Sequence, residues 1–381
     1  MPKNIIPVFA FLFILLGCKR EVSKNEQENP SDTYTIEFAK GFSVKQFDSY
    51  TVIEVLEPWP NSDKTLKYLV VEKEKLAALS FPKDAYDAIV TTPISKLVVT
   101  STTHIPALES LESLDKLVGF PNTQYISSLP ARKGIKEGRI KDLGQNENLN
   151  TEMTLALQPD LVVGFAITNE NQSYDVLKRA NIPVVFNGDW VERTPLGKAE
   201  WIKFFGVLLN KEKEASELFE TIKSDYQNAK SLASQATSKP KILSGALYKD
   251  VWYAPAGGSW AARFLKDANT EYLYESSEGA GSLSLSLETV LENSDEAEIW
   301  ISPSQFTSYN EMENSNEHYT QFRPFKNKTI FTFAATKGPT GGLLYYELAP
   351  QRPDLVLKDL VKITHPELLP DYSPFFFTPL Q

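Results

Sequence analysis

The sequence predicts an α/β protein of two lobes, each built on a parallel sheet, with a long helix between them and a small β extension in front. Three observations carry that expectation. From residue 96 onward, short apolar strand patterns alternate with helical ones, the rhythm of a parallel sheet. A long, charged, amphipathic stretch interrupts the alternation midway, and the alternation then resumes. The chain has 381 residues, more than one hydrophobic core usually serves, so two lobes are the default.

Composition narrows the function classes. The chain is 42% hydrophobic and 23% charged, ordinary globular values that speak against collagen, coiled coil and wholesale disorder. Its formal net charge of −10 makes nucleic acid and anionic lipid surfaces poor partners. A single cysteine, Cys18, excludes an internal disulfide, a zinc–thiolate site and a CxxC redox pair. The three histidines, His104, His318 and His365, form no HExxH or other local pair, which argues against a His-rich metal receptor.

Residues 1–17 read as an export signal. Lys3 supplies the positive start, and the apolar run from Ile5 to Leu16 is too short to span a bilayer as a helix of ~20 residues. Leu15-Leu16-Gly17-Cys18 resembles a bacterial lipobox, in which cleavage leaves Cys18 as the lipidated N-terminus. Residues 18–33 are polar and without aromatics, so they read as a flexible tether. The expectation is an extracytoplasmic, membrane-anchored lipoprotein on the periplasmic side. Residues 34–95 form the β extension, with strand patterns over 34–38, 49–56 and 66–71. Pro58, Pro60 and Asn61-Ser62-Asp63 mark its turns.

The N-terminal lobe is expected over 96–210. Its strands fall at 96–100, 118–120, 161–164 and 182–186, and its helices at 104–117, 150–157, 174–180 and 196–209. The connecting helix occupies 211–238, with Ala215, Leu218, Phe219, Ile222 and Tyr226 on one face, and Ser238-Lys239-Pro240 stops it. The C-terminal lobe is expected over 239–381. Its strands fall at 241–244, 251–254, 298–302 and 329–333, and its helices at 259–267, 287–293 and 353–363. The lobes echo each other. Thr151-Glu152-Met153-Thr154-Leu155 and Leu287-Glu288-Thr289-Val290-Leu291 each place Glu at a helix start and Leu three residues on, then a turn with Asp and a strand.

Catalytic signatures are scarce. No GxSxG elbow and no GxxxxGK[ST] loop occurs, and Gly279-Ala280-Gly281 lacks the third glycine of a dinucleotide fingerprint. Residues 336–342 are glycine-rich, but Lys337 precedes the glycines, so they read as a loop at a strand end.

Several blocks in order then carry a resemblance. Thr100-Ser101-Thr102-Thr103-His104 leads to Leu117-Val118-Gly119. Gly138-Arg139-Ile140 runs through Leu143-Gly144 to Asn150-Thr151-Glu152 and Leu157-Gln158-Pro159-Asp160. Gly257-Gly258-Ser259-Trp260 and Ser284-Leu285-Ser286-Leu287-Glu288 follow in the second half, then Arg352-Pro353-Asp354 and His365-Pro366-Glu367-Leu368. Together these resemble a class III (Fe/B12-type) periplasmic substrate-binding lipoprotein of an ABC importer, in its iron-chelate branch. The resemblance implies two Rossmann-like lobes joined by one rigid helix, with a metal chelate such as a ferric siderophore or haem bound between them. It implies delivery to an ABC permease and its ATPase, with no catalysis and no resident cofactor, and a monomer is expected. It also implies that a Glu on each lobe, here Glu152 and Glu288, docks on permease arginines. The local alternative is a carboxylate favoured by the helix dipole in a first turn.

Open α/β sheets bind ligands at strand C-termini. That places Thr102, Thr103 and His104 at the cleft, beside Ser101, with Trp190 after the 182–186 strand. In the second lobe Trp252, Tyr253 and Trp260 cluster and could stack on a flat chelate, and Lys337 could pair with a ligand carboxylate. Trp252 and Trp260 could equally be core residues, and His104 a hydrogen-bonded structural one. Arg139 and Arg263 read as solvated surface or ligand partners, and Arg352 as structural. A corrinoid (cobalamin) receptor of the same family is the near alternative. A hydrolase on this scaffold would have only Ser101 with His104 as nucleophile and base, and a receptor-associated scaffold would use the β extension.

Overall fold

Two five-stranded sheets, one per lobe, form the body. The structure is a computed structural model and describes residues 34–82, 84–168 and 171–381. The expected signal 1–17, the lipid-bearing Cys18 and the tether 18–33 lie outside the described residues. The chain belongs to the α/β class, with parallel sheets and covering helices in both lobes.

A four-stranded sheet comes first, β1 (Phe42–Gln46), β2 (Thr51–Val55), β3 (Leu66–Glu72) and β4 (Ala88–Thr92), in that spatial order. Its inner face carries Val44, Ile53, Tyr68, Val70 and Val90 into the same core as Phe204, Phe205 and Leu208. The strand expected over 34–38 does not form, and β1 and β4 were not expected. The N–H groups of residues 37–39 go to a carboxylate instead of a neighbouring strand.

The first lobe contains β5 (Leu97–Val99), β6 (Leu117–Phe120), β7 (Lys141–Asp142), a short hairpin β8 (Gly144–Gln145) and β9 (Asn148–Leu149), then β10 (Leu161–Gly164) and β11 (Val184–Phe186). The sheet order is β11-β10-β5-β6-β7, all parallel. β5, β10 and β11 are buried throughout, as parallel strands covered on both faces must be. The helix after β5 ends at Ser110, short of the expected Leu117. Glu112 takes a left-handed φ of 48°, and a 3-10 turn follows at Leu114–Lys116.

The second lobe contains β12 (Lys241–Ser244), β13 (Ala246–Tyr248), β14 (Val251–Pro255), β15 (Glu271–Tyr272), β16 (Ser282–Leu285), β17 (Ile299–Ile301), β18 (Ile330–Thr332) and β19 (Thr378–Pro379). Its main sheet runs β15-β12-β17-β18-β19, and β13-β14-β16 form a small antiparallel satellite. With the two-residue edge strands β7 and β19 set aside, the remaining parallel strands of each lobe, ranked by chain order, stand second-first-third-fourth. The short sequence echo therefore reflects a repeated topology. Its helices, Thr151–Leu157 and Leu287–Asn293, each precede the third strand of their lobe.

The helix Glu212–Ala233, of 22 residues, is about 33 Å long at 1.5 Å per residue. Ala215, Phe219 and Ile222 sit in the first lobe's core, and Tyr226, Ala229 and Ala233 in the second's. One apolar stripe thus joins both cores. Two buried carboxylates pin the outlying segments. Glu200 accepts the N–H groups of Glu37, Phe38 and Ala39 at 2.6–3.1 Å. Asp359 accepts those of Phe375, Phe376 and Phe377 at 2.6–3.1 Å, with the Tyr372 hydroxyl at 2.7 Å. Arg352 forms a two-pronged pair with Asp354 at 2.9 and 2.7 Å, at the start of the final helix Pro353–Thr364.

Candidate functional site

The loops that follow the strands of one lobe meet those of the other along a seam. Gly338 and Gly342 approach so closely that a Cβ on either would lie 2.5 Å from Ser127 or Tyr125. Two hydrogen bonds from Ser127 and Ser128 N–H, at 2.5 and 3.0 Å, end on the carboxylate of Glu347. Thr340 Oγ1 donates to Gln124 O at 2.6 Å. Burial pushes the Glu347 carboxyl above its ordinary value, and the two serine N–H groups pull it back.

A cavity opens at each end of this seam. One, of about 550 Å³, is lined by Trp190 and Arg193 of the first lobe, Glu57 of the β extension, and Ser259 and Trp260 of the second lobe. The other, of about 650 Å³, is lined by Glu109 and Leu129 from one side and by Lys337 and Glu347 from the other. Each joins the loop after one lobe's fourth strand to the other lobe's first helix and second-strand loop, so the two cavities are equivalents under the repeat. Both fall in the size range of small-molecule sites.

Trp190 packs on Phe165 with ring centroids 5.3 Å apart. Trp260 packs on Phe264 at 5.4 Å and on Tyr345 at 6.0 Å. Lys198 Nζ stands 5.2 Å from the Trp260 ring and donates to Asp189 O and Trp190 O at 2.9 Å each. The same ammonium thus ties both tryptophans to one floor. Burial lowers the Lys198 pKa and raises that of Asp189, their mutual attraction opposing both shifts.

The expected residues divide. Trp190, Trp260 and Lys337 reach the two cavities. Thr103 lies on the seam's floor beside Asp189 and Gln351, with Thr102 half-buried next to it. Ser101 Oγ and Thr103 Oγ1 are 2.9 Å apart and bond each other. Tyr253 is exposed beside Tyr248, on β14, and lines neither cavity.

Two candidates are core residues instead. Trp252 is fully buried, stacked on Trp300 at 5.2 Å, and its indole N–H donates to Ser244 O. Alternation along β14 decides this: Trp252 and Ala254 point inward while Tyr253 points out. His104 is also fully buried, 5.4 Å from the Phe205 ring, with neither ring nitrogen bonded to a described residue. Desolvation holds its pKa down to about 3, so it is a neutral packing residue. The Ser101–His104 pair is accordingly not assembled. Sequence reasoning missed Glu57, Arg193 and Glu347. They reach the seam through long-range packing, and no motif marks them.

Glu152 and Glu288 are exposed. Each is the second residue of its helix, after a capping Asn150 or Ser286 whose side chain accepts the N–H three residues on, from Met153 or Thr289. Their placement in the repeat is therefore the same to the residue. Among the described residues, no group of three or more His, Cys, Asp or Glu is arranged to hold a bare metal ion.

A periodic pattern of this kind has known relatives. The family model described as "Periplasmic binding protein" matches residues 97–335, and the chain belongs to that family, in its Fe/B12 class III type. An uncharacterised lipoprotein of Methanocaldococcus jannaschii is 25% identical over 300 residues, covering 76% of this chain and 69% of its own. Among solved structures, a possible iron-binding periplasmic solute-binding protein of Staphylococcus epidermidis superposes with a TM-score of 0.57 at 20% identity, over 72% of this chain and 100% of that one. A periplasmic haem-binding protein of Vibrio cholerae gives 0.53 at 17% identity, over 69% and 99%. At these identities the structural likeness is one of fold. No helix among the described residues is long and apolar enough to cross a membrane.

Proposed function

We propose that this protein captures a metal chelate, a ferric siderophore or haem, between its two lobes and hands it to an ABC permease with its ATPase. The observation that carries the reading is the seam itself. Two lobes whose four central strands share one order enclose ligand-sized cavities, and Trp190 of one lobe shares a cavity with Trp260 of the other. Aromatic walls suit a flat or apolar chelate face. The iron- and haem-binding names of structural neighbours support the same class of ligand. A corrinoid is the second reading, favoured by those same aromatic walls. Lipid attachment at Cys18, supported by the lipoprotein relative, would hold the protein outside the cytoplasm beside its permease.

Glu152 and Glu288 are the docking residues in this reading, because exposed charges at matched places on two lobes suit a pseudo-symmetric basic surface. The test has two arms. Tryptophan-quench titration of the full chain with ferric siderophores, haemin and cyanocobalamin should give saturable binding to at least one; no response to any overturns the reading. Glu152→Arg with Glu288→Arg should abolish uptake while leaving ligand affinity unchanged, and unchanged uptake refutes the docking role.

A further inference from the structure

The cations near the seam are mostly spent within the protein. Arg263 pairs with the buried Asp267 at 3.1 Å and Arg352 with Asp354 at 2.7 Å. Lys198 is buried against Asp189 and two backbone carbonyls. Arg193 and Lys337 remain, one in each cavity, and each shares it with one unspent carboxylate, Glu57 or Glu109. The other acidic lining residues are spent as the buried cations are: Glu192 accepts the N–H groups of Lys40, Gly41 and the Trp201 indole, and Glu347 those of Ser127 and Ser128. Neither cavity therefore offers a net positive field, and the chain as a whole carries −10.

We infer that the seam selects metal chelates of zero or positive net charge and rejects polyanionic ones. This rests on the reading above that the seam holds the ligand. The physical ground is desolvation. A chelate moved between Trp190 and Trp260 loses water, and each negative charge it brings must then be met by a cation. A tris-catecholate complex of ferric iron carries a triple negative charge, and in that cavity it would meet the carboxylate of Glu57 and one cation, Arg193; the equivalent cavity offers the same balance in Glu109 and Lys337. A tris-hydroxamate complex is neutral or singly positive. It needs no such partners and gains the full benefit of the aromatic walls. The chain's overall surplus of carboxylates also slows the approach of a polyanion and speeds that of a cation at low salt.

The experiment is a charge-graded titration of the full chain, solubilised in a non-ionic detergent. The probes are ferric desferrioxamine B (cationic), ferrichrome and cyanocobalamin (neutral), and ferric enterobactin (polyanionic). Binding of at least one neutral or cationic probe about tenfold or more tighter than ferric enterobactin supports the inference. Ferric enterobactin binding as tightly as the best of them overturns it, while the chelate-binding reading survives. Absence of binding to all four overturns the inference, and absence of binding to haemin as well overturns that reading with it. A second measurement uses the cavity-lining variant Glu57→Gln/Glu109→Gln. It should raise affinity for ferric enterobactin at least about threefold relative to its effect on ferrichrome. No rise, or an equal rise for both, counts against charge as the selector.

Discussion

Removing the carboxylate of Glu200 should unfasten the segment that leads into the first lobe. Glu200 is fully buried and accepts three successive backbone N–H groups and the ammonium of Lys203 at 2.8 Å. Lys203 is itself 5% exposed, and it also donates to Thr35 O at 2.9 Å. Phe38, inside the gripped segment, packs against the cores of both lobes. Glu200→Ala leaves a buried ammonium without its counter-charge, a change that costs about 3–5 kcal/mol. The freed N–H groups can recover water only by peeling residues 37–39 away, which exposes Phe38, while Glu192 keeps the N–H groups of Lys40 and Gly41. We expect a loss of about 4–5 kcal/mol. Unfolding entropy is about 2.1 cal/mol/K per residue over roughly 350 described residues, so this corresponds to a drop in Tm of about 6 °C. Thermal and urea unfolding of the full chain, followed by circular dichroism, measure it. Hydrogen exchange at residues 37–39 should accelerate in the same variant. The double change Glu200→Met/Lys203→Met should recover more than half of the loss, since it removes both charges together. A single-variant loss below about 1 kcal/mol, or a double variant no better than Glu200→Ala, would refute the reasoning.

Two further outcomes follow from buried aromatic rings. His104 is neutral in the folded chain down to about pH 3, against an ordinary value of 6.5. Above pH 6.5 folded and unfolded chains are alike at this group; below it only the unfolded chain takes up the proton. Its contribution to stability is therefore lost as pH falls from 6.5 toward 3, by up to about 1.4 kcal/mol per pH unit. His104→Leu should flatten the urea midpoint between pH 6 and 4.5, and an unchanged slope sinks the assignment. Trp252→Ala and Trp260→Ala should separate stability from binding. The first should cost about 3–5 kcal/mol through the core beneath Trp300. The second should lower chelate affinity about tenfold with a smaller stability loss. A larger loss of affinity from Trp252→Ala than from Trp260→Ala would refute this division of roles.

Much of the architecture was legible because parallel strands buried on both faces must be continuous apolar runs. Leu161–Gly164 shows this most directly: no polar residue could occupy it, so its pattern admits one reading. The 22-residue helix was legible for a similar reason. Its stripe Ala215, Phe219, Ile222, Tyr226 recurs every three or four residues, and that period is a property of the helix itself. The β extension was half legible. The 34–38 stretch has a strand's composition, but its N–H groups find Glu200, which lies 161–163 residues away. No local pattern records such a partner.

The cleft was less legible than the fold. Trp252, Tyr253 and Trp260 look alike as aromatics clustered in one stretch. Only the face each occupies distinguishes a core ring from an exposed one and from a cavity wall, and a slip of one residue in a strand exchanges inside for outside. His104 follows a strand C-terminus as a ligand residue would, yet its ring turns under the helix toward Phe205.

The sequence by itself determined the fold class, the pivot helix and the matched places of Glu152 and Glu288, because those rest on local periodicity and capping. The tertiary structure alone decided which side chains meet across the seam and which cations remain there unspent. Those are contacts between residues far apart in the chain, and burial and charge pairing exist only once the lobes have packed.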